Sequence, residues 1–368
     1  MLKGIRVIDI SFYLPGPYAT LRLGDLGAEV IKVEPPEGDP ARNTGEKKNG
    51  DGLVFLANNR NKKSITLDLK TEEGQTAALL LIEEADVVIE SFRPGVTSRL
   101  GIDYERAKEV NPGIVYCSIS GYGQAGTASN LGSHDLNYMA VSGSLSQMKD
   151  KGGSPVHPTN TFADLFGGVT ANERILAALV KKERTGEGEY VDLSLADSMV
   201  SLMTNHVIYE QETGRETGVS LLDGELVCYS LYETKDGRYA ALAALEKKFW
   251  TNFCDGVNRP DWISSHWSTT EESNTVFKEI QSLFAGKTLQ EWTLFGLEHD
   301  CCLTPVLEPS EINKTPYFQG KNLVWDNEDG TRQAATFPQH KSRISTRPPL
   351  KGEHTRELLS QMDKNQNT

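Results

Sequence analysis

The sequence lacks any long hydrophobic run, and its few cysteines form no metal-binding or disulfide pattern. Nowhere do about 18 apolar residues follow one another, as a membrane-spanning helix requires. The five cysteines, an odd number, include no C-x-x-C pair and no histidine at ligand spacing, so we predict a reduced compartment and no metal site. The opening segment, MLKGIRVIDIS, lacks a basic stretch followed by an apolar one, and we expect a cytoplasmic protein.

Positive charge is also scarce. The chain has 38 Lys and Arg against 51 Asp and Glu, which gives a formal net charge of −13. A surface for nucleic acid or anionic membrane needs a basic face, so we predict neither partner. The length of 368 residues, with 38% hydrophobic content, exceeds what a single core usually supports and indicates two domains.

The first 200 residues alternate strand-like and helix-like segments, which is typical of a parallel sheet with crossover helices. The predicted strands cover residues 4–10, 28–34, 64–68, 86–90, 114–119 and 190–193, and the predicted helices cover 18–26, 71–84, 162–184 and 196–212. We therefore predict an α/β fold with a Rossmann-like large domain over residues 1–200, followed by a linker helix and loop over 201–224.

The remainder predicts a smaller α+β domain over residues 225–330. Segments 226–231 and 238–244 flank a Lys-Asp-Gly turn typical of a hairpin, and helices are expected at 271–284 and 289–299 before a strand at 304–307. The segment 331–368 is polar and contains prolines. We expect it to return to the large domain.

The first strand–helix turn excludes one common use of such a sheet. Residues 11–17 read SFYLPGP rather than G-x-G-x-x-G, so the glycines that let a backbone approach a pyrophosphate are missing. A nicotinamide enzyme is therefore disfavoured, and we predict no cofactor.

Several separated blocks resemble the family III CoA-transferases (the CaiB/BaiF superfamily) and, within it, the alpha-methylacyl-CoA racemases. In chain order they are LPGPYATLRLGDLGAEVIKVEPPEGD, NNRNKKSITLDLK, ADVVIESFRPGVTSRLGIDYE, SISGYGQAG, SHDLNYMAVSG, NTFADLFGG, TGEGEYVDLSLADSM, DGRYAALAALEKKFW and CLTPVL. The resemblance implies a Rossmann-like large domain closed by the C-terminal segment, a smaller domain and an interlocked homodimer. It also implies acyl-CoA substrates, with coenzyme A entering only as part of the substrate.

Two residues carry the chemistry that the resemblance implies. The block HDLNY at 134–138 is similar to the racemases' G-H-D-[IL]-N-Y, with Ser133 where glycine is usual, and His134 is thereby identified as the base on one face of the substrate. Asp164 resembles the opposite base of racemases and the nucleophile of transferases. Asp164 could equally cap the helix that follows it.

Two further acidic residues accompany this pair. Glu246, in AALEKKFW, lies where racemases carry A-I-E-P-Q-F-Y and is implied to orient His134, although a solvated surface glutamate is the ordinary alternative. Asp135 either helps to hold the catalytic pair or is a structural aspartate. An enolate oxygen would need hydrogen-bond donors, which we assign to the helix amides that follow Asp164.

An acidic protein must gather cations where the phosphates of coenzyme A dock. Short basic runs are usually solvated surface, but the resemblance implies a nucleotide-binding role for Arg60, Lys62, Lys63 and Arg93. By resemblance alone, the adenine or pantetheine path is lined by Leu69, Gly121, Tyr122 and Gly123.

Three departures from the transferase pattern favour a racemase that acts on 2-methylacyl-CoA thioesters. The first turn is YLPGP rather than Q-x-x-A-G-P, AALE replaces a glycine-rich loop, and the HDLNY histidine is present. The alternative is a CoA-transferase with Asp164 as nucleophile. A silent CoA-ester-binding scaffold is disfavoured because His134, Asp164 and Glu246 occur together.

Overall fold

A computed structural model describes residues 1–150, 152–337 and 346–366. The chain forms two compact units, one comprising residues 1–204 and 320–368 and the other residues 205–319. Residues 205–224, predicted as part of a linker, belong to the second unit. Within the described ranges, no helix has the length and apolar character needed to cross a bilayer.

The strands are short and fall in both units. In chain order they are β1 (Arg6–Asp9), β2 (Glu29–Glu34), β3 (Lys47–Lys48), β4 (Asp51–Gly52), β5 (Lys62–Thr66), β6 (Val87–Glu90), β7 (Val115–Ser120), β8 (Glu189–Ser194), β9 (Tyr229–Glu233), β10 (Tyr239–Ala243), β11 (Leu303–Pro305), β12 (Val324–Asp326) and β13 (Arg332–Ala334).

The helices connect these strands and cover them. They are α1 (Pro15–Asp25), α2 (Leu53–Asn58), α3 (Glu72–Glu83), α4 (Val96–Arg99), α5 (Tyr104–Val110), α6 (Asp135–Val141), α7 (Phe162–Thr185), α8 (Leu195–Val200), α9 (Thr204–Thr213), α10 (Lys247–Gly256), α11 (Thr275–Phe284), α12 (Leu289–His299) and α13 (Thr355–Gln366). Short 3-10 turns occur at Pro40–Asn43, Ser144–Gln147, Ser201–Met203, Pro260–Ser265, Pro309–Lys314 and Pro316–Phe318.

A parallel six-stranded sheet in the order β5-β2-β1-β6-β7-β8 forms the centre of the first unit. Val7 and Val30 pack on one face in a core shared with α1 and α7, while Ile8 and Ile31 pack on the other in a core shared with α3 and α13. Because helices cover both faces, the strands carry nearly continuous apolar runs. The predicted α/β architecture with a central parallel sheet is confirmed.

The edge strand β5 is covered by the end of the chain. The backbone N–H of His354 donates to the carbonyl of Ser64 at 2.9 Å, and the backbone N–H of Ser64 donates to Nδ1 of His354 at 3.2 Å. The Thr66 N–H donates to the hydroxyl of Thr355 at 3.0 Å. These contacts satisfy backbone groups that an open sheet edge would leave exposed.

The second unit contains a three-stranded antiparallel sheet in the order β11-β10-β9. Its core is aromatic: Phe284 stacks between Trp292 and Phe253, at 4.4 Å and 6.0 Å between ring centroids, and all three side chains are buried. Large aromatic side chains bury enough area to give a small unit its own core.

Two predicted helices differ from the structure. The single helix expected over 196–212 is interrupted between α8 and α9, where the hydroxyls of Ser201 and Thr204 donate to the carbonyls of Ser198 and Ser201 at 2.6 and 2.9 Å. Such hydroxyls compete with backbone N–H groups and tighten the chain into a 3-10 turn. The helix expected from residue 271 begins at Thr275, because the Asn274 side chain caps it.

Candidate active site

The predicted catalytic residues His134 and Asp164 lie in the first unit, each at the start of a helix. His134 is the exposed residue immediately before α6, and its backbone N–H donates to Oδ1 of Asn137 at 3.0 Å. Asp164 lies in the first turn of α7, partly buried. Helix N-termini favour negative charge, so both positions suit chemistry in which an anion develops.

Asp135 joins these two helix starts. Its Oδ1 accepts a hydrogen bond from the backbone N–H of Asp164 at 3.0 Å. Because Asp135 directly follows His134 in the chain, this single bond fixes the backbone of one candidate base against that of the other. Whether Asp135 holds a catalytic pair or is a structural aspartate stays a prediction, but its contact with the Asp164 backbone is a geometric fact.

The carboxyl of Asp164 has an unusual environment. Burial raises the pKa of Asp164 to about 7, and the negative charge of Asp135 acts in the same direction. A carboxyl with this pKa exists in both protonation states near neutrality and can therefore accept and return a proton. Burial, together with the charge of Asp164, also raises the pKa of the neighbouring Tyr138 to about 12.

Ser133 makes hydrogen bonds with two tyrosines. The hydroxyl of Tyr122 lies 2.8 Å from Oγ of Ser133, and the hydroxyl of Tyr138 donates to the Ser133 carbonyl at 2.9 Å. The two rings meet edge to face with centroids 5.5 Å apart. A Cβ at Gly121 would lie 2.7 Å from the Tyr138 ring, so the end of β7 approaches that ring as only glycine allows.

The helix amides after Asp164 are not free to form the predicted oxyanion site. Leu165 donates its backbone N–H to the carbonyl of Thr161 at 3.1 Å, and the Asp164 N–H is taken by Asp135. In the first turn of α7, the amides of Phe162 and Ala163 make no hydrogen bond within the described chain. The prediction is corrected accordingly: the available donors precede Asp164.

Glu246 lies in the second unit. It is exposed and precedes α10, and its side chain forms no capping hydrogen bond there. That it orients His134 stays a prediction.

Lys62, predicted to bind a phosphate, is instead a buried structural residue. Its ammonium donates to the Asp9 carboxylate and the Pro17 carbonyl at 2.9 Å and to Oδ1 of Asn59 at 2.8 Å. Burial alone raises the pKa of Asp9, but Lys32 and Lys62 outweigh it and hold that pKa well below its ordinary value. A fully buried ammonium with three protein partners cannot contact coenzyme A unless the core opens.

The neighbouring cations differ in how accessible they are. Arg60 is also buried, paired with Asp25, whereas Lys63 is partly exposed and paired with Glu29 at 2.9 Å. Arg93 is exposed and makes no ion pair within the described residues. Its guanidinium lies beside Gly132, where an added Cβ would be 3.0 Å away from it. Arg93 is therefore the predicted cation that lies beside the His134 segment and remains available to a phosphate.

Of the residues predicted to line the nucleotide path, some lie near His134 and others do not. Tyr122 and Gly121 contact the His134 segment as described, and Gly123, at φ +82°, brings the chain to the Asp192 carboxylate, which accepts the Gln124 N–H at 3.1 Å. Leu69 is half-buried and packs against the core beside α3. Across the described ranges, no group of three or more His, Cys, Asp and Glu is placed to hold a metal ion.

Sequence reasoning missed three residues of this region. Ser133 and Tyr138 were recognised as part of a motif but given no role, and their spacing of five residues around a helix start was the signal available. Glu90, at the carboxyl end of β6, was overlooked; burial raises its pKa to about 7. A lone glutamate at a strand end gives no sign of this in the sequence.

The chain is similar to known proteins over nearly its whole length. The profile of CoA-transferase family III matches residues 2–355. The succinyl-CoA:glutarate CoA-transferase of Mus musculus is 31% identical over 98% of this chain and 86% of its own, and the alpha-methylacyl-CoA racemase of the same species is 32% identical over 98% and 92%. The crystal structure of a CAIB/BAIF family protein from Brucella suis has a TM-score of 0.86 at 26% identity and covers 98% of this chain and 99% of its own. A transferase and a racemase are thus similar to the chain to nearly the same degree.

Proposed function

The chain belongs to CoA-transferase family III, the superfamily that includes the racemases, and on this premise we propose that it exchanges the alpha proton of 2-methylacyl-CoA thioesters through an enolate. His134 is the base on one face of the substrate, and Asp164 is the base on the other. Inversion requires both, because the proton removed from one face must be replaced from the opposite one.

The observation that carries the proposal is the bond between Asp135 and the Asp164 backbone. It joins the residue next to the imidazole to the residue that bears the second base, at 3.0 Å. Asp164, with its pKa raised to about 7, is suited to accept a proton as the carboxylate and to return it as the acid.

The remaining parts of the proposal concern binding. The amides of Phe162 and Ala163 at the start of α7 are the donors we assign to the enolate oxygen, where the helix dipole also favours negative charge. Arg93 is the cation we assign to a phosphate of coenzyme A, because its guanidinium is exposed and unpaired among the described residues.

A CoA-transferase is the second candidate, supported by the transferase relative at 31% identity. In that reaction the Asp164 carboxylate would attack the thioester, giving an acyl-aspartyl anhydride and releasing the coenzyme A thiolate. The thiolate would then attack the aspartyl carbonyl, forming an aspartyl-CoA thioester and freeing the donor acid. Attack by the acceptor acid would run these two steps in reverse and leave coenzyme A on the acceptor. The two reactions share Asp164 but differ in their need for His134.

The deciding experiment incubates the protein with (2R)- or (2S)-2-methylacyl-CoA in deuterium oxide without any acceptor acid. We expect deuterium incorporation with loss of optical purity, and loss of epimerisation in His134→Ala and Asp164→Asn. The matched control is His157→Ala, because His157 is an exposed histidine whose Nδ1 lies 2.8 Å from the Pro158 carbonyl. Absence of exchange, with coenzyme A appearing on an added carboxylic acid, would establish the transferase instead.

The proposal includes the interlocked homodimer that the family resemblance implies. Sedimentation should give twice the chain mass. A monomer that is fully active would contradict this part of the proposal without affecting the assignment of the bases.

A further inference from the structure

His134 lies between Ser133 and Asp135, and each of these neighbours is fixed by hydrogen bonds to other elements. The loop that leads to Ser133 contains Gly123 and Gly126, both at positive φ, and is held by local hydrogen bonds such as that from the Leu131 N–H to the Ala128 carbonyl at 2.9 Å. The His134 side chain is exposed, and its backbone N–H donates to the side chain of Asn137 at the start of α6. Its position therefore depends on the residues on either side.

The anchor before His134 is a pair of hydroxyl contacts to Ser133. Oγ of Ser133 meets the Tyr122 hydroxyl at 2.8 Å, and its carbonyl accepts from the Tyr138 hydroxyl at 2.9 Å. Tyr138 is 7% exposed, and its ring packs against Gly121 at the end of β7. The central sheet thus fixes the backbone that enters His134.

The anchor after His134 is the carboxylate of Asp135. Its bond to the Asp164 N–H at 3.0 Å ties the start of α6 to the start of α7. α7 is 24 residues long and packs on the sheet through Ala171 and Ile175, so its first turn is a rigid reference point.

We propose that Tyr122, Ser133 and Asp135 are positioning residues, which hold the His134 backbone at a fixed place relative to Asp164. The inference rests on the proposed function for its catalytic consequence, but the anchoring itself is a property of the fold. Ser133 is specific in this respect, because a glycine at this position would have no side chain to reach the Tyr122 hydroxyl. A displacement of about 1 Å at a catalytic group can slow a reaction about a hundredfold, so loosening one anchor is expected to affect the rate.

The test uses Tyr122→Phe and Ser133→Gly, each of which removes one partner of the hydroxyl pair, and the double variant. Exchange at each face is assigned first: Asp164→Asn leaves exchange at the His134 face, and His134→Ala leaves it at the Asp164 face. We expect Tyr122→Phe and Ser133→Gly each to lower kcat for exchange at the His134 face about five- to tenfold, with KM unchanged and the Asp164 face altered less than about twofold. The double variant should be no slower than the slower single variant, because both changes remove the same contact.

Tyr190→Phe is the matched control. The Tyr190 hydroxyl also contacts a serine hydroxyl, that of Ser118 at 3.2 Å, but this contact joins β8 to β7 rather than the loop before α6. It should leave exchange at both faces unchanged. If Tyr122→Phe raises KM and leaves kcat unchanged, Tyr122 only lines the path of coenzyme A and the positioning role is overturned.

A second measurement does not depend on activity. Amide hydrogen exchange across residues 131–139 should be faster in Tyr122→Phe, Ser133→Gly and Asp135→Ala than in the wild type and in Tyr190→Phe. If the wild type does not racemise its substrate but the variants still show faster amide exchange, the anchors are supported and the proposed reaction is refuted. Unchanged amide exchange in all three variants would overturn the anchors, whether or not the wild type racemises its substrate.

Discussion

At the scale of single residues, the charge of Asp135 matters as well as its hydrogen bond. Its carboxylate accepts the Asp164 N–H and lies close enough to disfavour a second negative charge there. An amide oxygen could preserve the bond without the charge. The two effects can therefore be separated by one substitution.

We expect Asp135→Asn to shift the pH dependence of exchange at the Asp164 face toward lower pH. In the wild type, Asp164 must lose its proton to act as a base, so exchange at that face should rise through pH about 7. Removing the neighbouring charge lowers the pKa of Asp164, although burial, the larger cause, still holds it above its ordinary value. Deuterium incorporation measured from pH 5 to 9 is the readout, and an unmoved midpoint would refute the role of the Asp135 charge.

Adjacent lysines on β5 provide a second prediction. Lys62→Met should lower the free energy of unfolding by about 3–5 kcal/mol, because it leaves the buried Asp9 carboxylate without one of its cations. Lys63→Met removes a partly exposed pair with Glu29 and should cost less than about 1 kcal/mol. Denaturant unfolding of both variants is the measurement. A stable Lys62→Met protein with a raised KM for acyl-CoA would restore the phosphate-binding role.

At the scale of elements, the position of Asp164 depends on how closely α7 approaches α1. A Cβ at Gly168 would lie 2.8 Å from the Pro15 carbonyl and 3.0 Å from Cδ1 of Tyr18. A side chain at this position would push α7 away from the start of α1. Gly168 is also one helical turn after Asp164, so any shift there would be transmitted to the carboxylate.

We expect Gly168→Ala to destabilise the protein by about 1–3 kcal/mol and to slow exchange, although alanine favours helix more than glycine does. Gly24→Ala is the matched control in α1, where the added Cβ would meet Cγ2 of Val30 at an ordinary 3.5 Å, and it should be neutral or stabilising. Thermal unfolding and the proton-exchange assay are the measurements for both variants. Equal effects of the two substitutions would show that helix propensity, not close approach, governs these positions.

The strands of the central sheet could be predicted from the sequence because they are largely buried and apolar, whereas the short strands β3, β4, β12 and β13 and the short helices α2, α4, α5 and α6 were not predicted. The helix over 162–184 and the strand over 190–193 agree with α7 and β8 within one residue. The break at Ser201–Met203 could not be predicted, because it depends on which backbone carbonyls accept hydrogen bonds from the hydroxyls of Ser201 and Thr204. The burial of Lys62 was equally hidden, because its partner Asp9 lies 53 residues away. Motif resemblance found His134 and Asp164, but the hydrogen bond between the Asp164 N–H and the Asp135 carboxylate is visible only in the fold.

At the scale of the whole molecule, the first unit is assembled from two distant parts of the chain. Residues 320–368 complete a unit begun by residues 1–204, with α13 placing Leu358 and Met362 in the core beneath the sheet. The last helix is therefore a structural part of the first unit rather than an appendage.

We expect Leu358→Ala to reduce the free energy of unfolding by about 2–5 kcal/mol, as for other buried leucines. Arg356→Ala, an exposed position on the same helix, should change it by less than about 0.5 kcal/mol. Deletion of residues 346–368 should expose the β5 edge and lead to aggregation, which light scattering would detect. A truncated chain that remains monodisperse and unfolds like the wild type would contradict this view of the C-terminal segment.

The contact between Ser64 and His354 also determines when the edge strand β5 can be covered during synthesis. The two residues are 290 positions apart, so a ribosome translating about 5–20 residues per second completes the edge strand's cover roughly 15–60 s after making the strand itself. During that interval the nascent sheet presents an unpaired edge, which is the surface that holding chaperones recognise in incomplete proteins. The order of the segments in the chain therefore exposes this edge to aggregation during synthesis, whatever the stability of the finished fold.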